Sequence, residues 1–220
     1  MKNIIFVILI CLSTQSCNQN SSLKNNGSTQ WWTDEDRTLI VSELNRTTEA
    51  LNSEIEDLSI DQWHFKETPT RWSISEIVEH LEMQNQLHYR EISVTSLAPQ
   101  YLKFREITVG QDAHFTKYST DTTKGKARWF LEPRGKYNSV KNGMEAFAKA
   151  RSELTKFVEQ TDIDLRKQFT FRIPVEGKDI QDIKIGQVRD LHQLLLTGIA
   201  HTDRHLTQIQ NIKKHPEYPK

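Results

Sequence analysis

Cysteine is nearly absent from this 220-residue chain; the only two, Cys11 and Cys17, fall in the first seventeen residues. Past them neither a disulfide framework nor a cysteine nucleophile is available. An excess of one charge is also missing. Lys plus Arg number 29 and Asp plus Glu number 29, so the formal net charge is zero. A general nucleic-acid binder needs a basic surplus or stripe, so nucleic acid is not an expected partner. Eight glycines and six prolines are too few for a low-complexity chain. There is no apolar run of the roughly 20 residues that cross a bilayer as a helix. The longest, Ile4 to Leu12, has nine.

That short run follows Lys2 and precedes Ser13-Thr14-Gln15-Ser16-Cys17. A positive start, a short apolar core and a small residue before a cysteine resemble a lipoprotein signal, with residues 1–16 removed and Cys17 lipidated. Thr14 and Gln15 depart from the strict pattern of Leu and a small residue, and an ordinary cleaved signal with a chance cysteine is the alternative. Lipidation implies a firm membrane anchor, since stable anchoring takes more than one acyl chain. The chain would then sit in the cell envelope, on the periplasmic or other extracytoplasmic face. Residues 17–30 are polar and rich in Ser and Asn, and read as a flexible tether. The folded domain is expected over residues 31–220.

Four stretches carry helical periodicity. Thr33 to Leu58 opens on an N-cap followed by three acids, with Leu39, Ile40, Leu44, Leu51, Ile55 and Leu58 on one face. Ser73 to about Ala98 opens on a capping box, Ser73 with Glu76. Ile74, Ile77, Val78, Leu81 and Leu87 mark its apolar side. Val140 to Thr161 and Arg189 to Lys213 complete the set. The connection from Pro99 to Ser139 is long, and loops of that length are usually functional or partly ordered lids. Phe169 to Ile173 alternates as a short strand does. Four helices with such connections predict an all-α four-helix bundle.

The candidate chemistry lies in histidines. His201 and His205, in HTDRH, stand at i and i+4 and so share one helix face. Neutral imidazole is a common zinc ligand. The same spacing also arises as two surface or core-edge histidines. Leu194, Gly198 and Gln208 share the face, and Gly198 permits close approach of a neighbouring helix or a ligand. His80, between apolar neighbours on the second helix, completes a three-histidine set with open coordination positions; a satisfied core histidine is the alternative. His88 is the next candidate ligand. His192 should point away from His201. Glu79, Asp203 and Arg204 are candidates for supporting or surface roles.

WSISEIVEHL (72–81) and HTDRHLTQI (201–209) are similar to the WSxxEIxxHL and HxxRHxxQI motifs of the DinB-like superfamily. WFLEPRGKY (129–137), RSEL (151–154) and DLR (164–166) resemble the landmarks between them in its second subgroup. The resemblance spans about residues 31 to 219. It implies an up-down-down-up four-helix bundle in which His80, His201 and His205 hold one divalent ion, often zinc or nickel, and commonly a homodimer. Relatives include thiol S-transferases, a maleylpyruvate isomerase and metal-dependent hydrolases. An exported chain would lack the cytosolic thiols that the transferases use. Three functions stay open: metal-dependent hydrolysis or transfer on a small-molecule substrate, a non-catalytic envelope protein binding a metal or ligand, and a helical domain without an ion. Trp129, Phe130 and Tyr137 either wall an apolar substrate pocket or pack the core.

Overall fold

The computed structural model describes residues 29–120, 126–172 and 177–220, with the side chains of 118–120 left aside. The signal-like segment, Cys17 and most of the tether fall outside these residues. Among the described residues no helix is long and apolar enough to cross a membrane.

The four expected helices form close to their predicted bounds: α1 (Asp34–Ile55), α3 (Ile74–Thr95), α6 (Val140–Gln160) and α7 (Leu191–Lys213). Side-chain caps on Thr33, Ser73, Ser139 and Asp190 start them. Shorter pieces fill the connections: α2 (Ile60–His64), α4 (Arg105–Thr108), α5 (Asp112–Thr120), β1 (Phe169–Phe171) and β2 (Val188–Asp190). The predicted strand is thus real. It pairs antiparallel with β2, Phe169 opposite Asp190.

Side-chain contacts give the helix directions. Trp32 meets His192, Arg46 meets Asp203 and Glu54 meets Lys213, so α1 and α7 run parallel. His88 lies against Gly198 and Glu91 meets Arg189, so α3 and α7 are antiparallel. Arg37 reaches the end of α6 at Val158 and Thr161, making α1 and α6 antiparallel. The bundle is therefore up-down-down-up. Since α3 and α6 are parallel, the chain must return along the bundle between them, a distance of about 33 Å for a 22-residue helix. That return accounts for the length of this crossover connection: among its described residues α4, α5 and two short 3-10 turns lie along it, and α5 packs on α7.

Two apolar clusters fill the interior. One, around Trp63, Ile77, Leu81, Phe147 and Ile209, lies where α3 and α6 begin. The other, around Trp32, Leu44, Ile92, Leu154 and Leu195, lies where α1 and α7 begin. Buried Thr47, Asn85, His88, Arg151 and Thr202 are polar residues on the same four helices, and Arg151 donates to Thr202 Oγ1 at 2.9 Å. Two expected core residues are not core: Leu39 is 49% exposed and Leu87 only half-buried. Glu79, Glu82, Asn85 and His88 are buried on α3 instead, each with a hydrogen-bond partner that offsets some of the cost of burial, although Glu82 Oε2 has none among the described residues.

The α7 N-terminus carries a buried ionic network. Arg166 pairs with Asp36 and Asp112, both at 2.9 Å. Trp32 Nε1 donates to His192 Nδ1 at 3.2 Å. Burial, reinforced by Arg166, pulls His192 down to about 4. Burial pulls His88 the same way. An unfolded histidine takes its proton near 6.5, so each such group makes the fold lose about 1.4 kcal/mol per pH unit as pH falls from 6.5 toward the folded value. Asp190, pushed up to about 7 by burial, acts in the opposite sense between 7 and 3.8. Glu82, raised by burial, acts as Asp190 does, but these two histidines and the three lowered site histidines of the metal-free protein outnumber the two carboxylates and leave a net loss. Urea unfolding of the metal-free protein should therefore give lower stability at pH 5.5 than at pH 7.5. Equal or greater stability at pH 5.5 would contradict this balance.

Candidate metal centre

Antiparallel α3 and α7 bring His80, one and a half turns into α3, against His201 and His205 in the middle of α7. Their ligand atoms all lie within 4.8 Å of one another, and the set contains no carboxylate or thiol among the described residues. The ring centroids are 4.6–5.2 Å apart. His80 and His205 are buried and His201 reaches the surface in part.

Hydrogen bonds fix how these rings present their nitrogens. His80 Nδ1–H donates to the Leu131 carbonyl at 2.8 Å, so its Nε2 carries a lone pair, which accepts from His201 Nε2–H. His205 Nδ1–H donates to Gln208 Oε1 at 2.9 Å, one turn along the same helix. His80 Nε2 faces His201 Nε2 at 2.9 Å. An ion with metal–nitrogen bonds of about 2.0–2.1 Å in tetrahedral geometry sets neighbouring nitrogens about 3.3 Å apart. The 2.9 Å spacing is slightly below that value and the whole set lies within 4.8 Å, so small side-chain adjustments admit an ion. Donation from the far ring nitrogen to a carbonyl or amide is the usual support of a metal-bound histidine.

Electrostatics agree with a ligand role. Burial and the neighbouring His80 pull His201 down to about 3. Burial, with the other two rings, holds His205 well below its ordinary value. Burial also lowers His80. All three are neutral at physiological pH and offer lone pairs without competition from protons.

The surrounding residues hold the histidines in place. Glu79 Oε1 and Oε2 accept from the backbone N–H groups of Arg134 and Lys136, each at 2.9 Å. The Tyr137 carbonyl accepts from Trp63 Nε1 and Ser75 Oγ, both at 3.0 Å. These four bonds tie the end of the crossover to α2 and α3, and so position Leu131. Trp72 walls the site, its ring 4.9 Å from His80 and stacked 6.2 Å from His205.

The other sequence candidates separate cleanly. His88 is not in the triad. It packs on Gly198, where a Cβ would come within 2.7 Å of its Nδ1, and its Nε2 bonds Gln84. Gly198 therefore serves close helix approach. His192 does point away, into the ionic network. Asp203 is engaged by Arg46 at the surface. Tyr137 is core, whereas Trp129 is 74% exposed and stands edge-on to Phe130 just ahead of Leu131. The Leu131 carbonyl and the Trp72 wall were not singled out from sequence. A backbone carbonyl leaves no residue-type signal; Trp72 did stand in the quoted motif, read there only as part of a helix start.

The sequence model of the DinB superfamily matches residues 43–209, well over half of the chain, with all three histidines inside the match. The chain belongs to the DinB superfamily. No curated protein and no solved structure matches it. The DinB match is shorter at both ends than the expected 31–219, leaving the Trp31-Trp32 entry and the last residues outside it.

In this DinB protein Gln208 acts on the site only through the His205 ring. Gln208→Ala should weaken divalent-metal affinity about 10–100-fold, the usual effect of losing such a support. Competition with a chromophoric chelator would measure it, and an unchanged affinity would show that the bond does not orient His205.

Proposed function

We propose that His80, His201 and His205 hold one divalent ion, zinc or nickel, and that this DinB-superfamily protein uses it in hydrolysis or group transfer on a small molecule. The observation that carries this reading is the occupied Nδ1 of His80 and of His205, which leaves Nε2 as their ligand atom in a set that lies within 4.8 Å. Bound by three neutral imidazoles, a divalent ion keeps its full charge and supplies Lewis acidity. The chain's own part is to hold three rings neutral and oriented, to wall one side with Trp72, and to leave coordination positions that no fourth His, Cys, Asp or Glu of the described residues fills.

The sequence features of the first thirty residues support placing this domain in the cell envelope, lipidated on Cys17, with a homodimer as the assembly that the family resemblance implies. Incorporation of labelled palmitate that disappears in Cys17→Ser tests the anchor. Turnover of a panel of activated esters and amides by metal-loaded wild type but not by His80→Ala tests the chemistry. A second reading, a non-catalytic envelope domain binding a metal or ligand, is favoured by the burial of His80 and His205, at 3% and 5% exposure. Binding of one ion without His80-dependent turnover would select it.

A further inference from the structure

Arg204 lies between two of the three histidines in sequence and has no counter-ion among the described residues. It is three residues beyond His201 and one before His205 on α7, about 60° round the helix from His201. Thr202 and Leu206 point to the opposite, core-facing flank and are buried, whereas Arg204 is half-buried. It therefore borders the side of the site on which His201 reaches the surface. Its charge acts on all three imidazoles. Among the described residues it has neither an ion pair nor a hydrogen bond.

The carboxylates near the three histidines in sequence have partners of their own, Glu82 among them with Gln86 and Lys136. Asp203 holds Arg46, Glu79 holds two backbone N–H groups of the crossover, and Glu76 holds Lys66 and the Ser73 N–H. The triad contributes no negative charge. A dication on three neutral rings beside an unpaired guanidinium is therefore a strongly positive locus, partly withdrawn from water. An anion beside such a locus offsets part of the cost of withdrawing its charge from water. A guanidinium also presents paired N–H groups that match the oxygens of a carboxylate or phosphate.

We propose that Arg204 is the anion-binding arm of this site, and that the substrate carries an oxyanion group, a carboxylate or a phosphate, which Arg204 and the metal face together. The proposal rests on the metal reading above. It adds a substrate class and a specificity residue that the three histidines alone do not give.

The test uses the full chain loaded with cobalt(II), whose visible absorption responds to a change in its ligands. Acetate and inorganic phosphate are titrated into wild type, Arg204→Gln and Arg204→Lys, with metal content and circular dichroism recorded for each. All three proteins should keep one cobalt per chain. Anion affinity should fall about 10–100-fold in Arg204→Gln, the range for one charge-assisted hydrogen bond, and return in part in Arg204→Lys. The tighter of the two anions in wild type tells carboxylate from phosphate. Equal anion affinity in wild type and Arg204→Gln, both holding cobalt, would overturn the proposal and leave the metal reading intact. Absence of anion binding to the cobalt protein would overturn it as well. Failure of wild type to take up cobalt would overturn both.

Discussion

Stripping the divalent ion with a chelator is expected to lower the melting temperature by about 8–16 °C. Only the folded protein brings α3 and α7 together, so only the folded state offers all three imidazoles, and an ion held there stabilises by mass action. At about 1,000 times its dissociation constant the ion contributes about 4 kcal/mol, and a domain of this size moves about 2–4 °C for each kcal/mol. His80→Ala, His201→Ala and His205→Ala should each abolish the chelator effect while leaving the helices formed. Removing one ligand is not expected to collapse the bundle, because each of the two apolar clusters draws buried residues from all four long helices. Thermal melts with and without chelator, followed by circular dichroism, give the comparison. An unchanged melting temperature on chelation of wild type, or a chelator effect that persists in His80→Ala, would place the ion elsewhere or nowhere.

Trp63→Ala is expected to cost about 3–5 kcal/mol, the range for emptying a buried aromatic site. Trp63 is fully buried at the meeting point of α2, α6 and the crossover. Its ring lies so close to α6 that a Cβ at Gly143 would come within 2.8 Å of it. Its Nε1 donates to the Tyr137 carbonyl, six residues past the Leu131 that holds His80. The loss should therefore reach the site as well, with weaker metal binding alongside the lower stability. Gly143→Ala should act through the same contact by overpacking, at about 1–3 kcal/mol. Urea unfolding measures both; a cost below about 1 kcal/mol for Trp63→Ala would mean that α2 does not anchor the crossover.

Much of this architecture is legible in the sequence because the long helices carry both a cap and an apolar period. Thr33 and Ser73 mark helix starts that the structure reproduces within a residue. The short elements were less legible. Ser59 and Gln62 form a capping box for α2, yet five residues give no measurable period, and the segment reads as loop. β2 is three residues long and has meaning only opposite β1. The length of the connection between α3 and α6 was plain, but its cause lies in topology: two parallel helices need a return path, and no local residue pattern announces which helices will be parallel. At the site, spacing on α7 and a histidine on α3 pointed to the triad. His88 was a plausible fourth candidate from the same arithmetic. What separates it is Gly198, which lets its ring pack into the helix interface. Exposed Leu39 and buried Glu79 show the limit of a polar-apolar pattern. A carboxylate can be buried where two backbone N–H groups wait for it.

The central claim is that three converging imidazoles hold an ion, and elemental analysis of the protein purified without a histidine tag tests it most directly. The expected result is about one zinc or nickel per chain in wild type and a small fraction of that in His80→Ala. Wild type without stoichiometric metal, or His80→Ala retaining as much as wild type, would contradict the account.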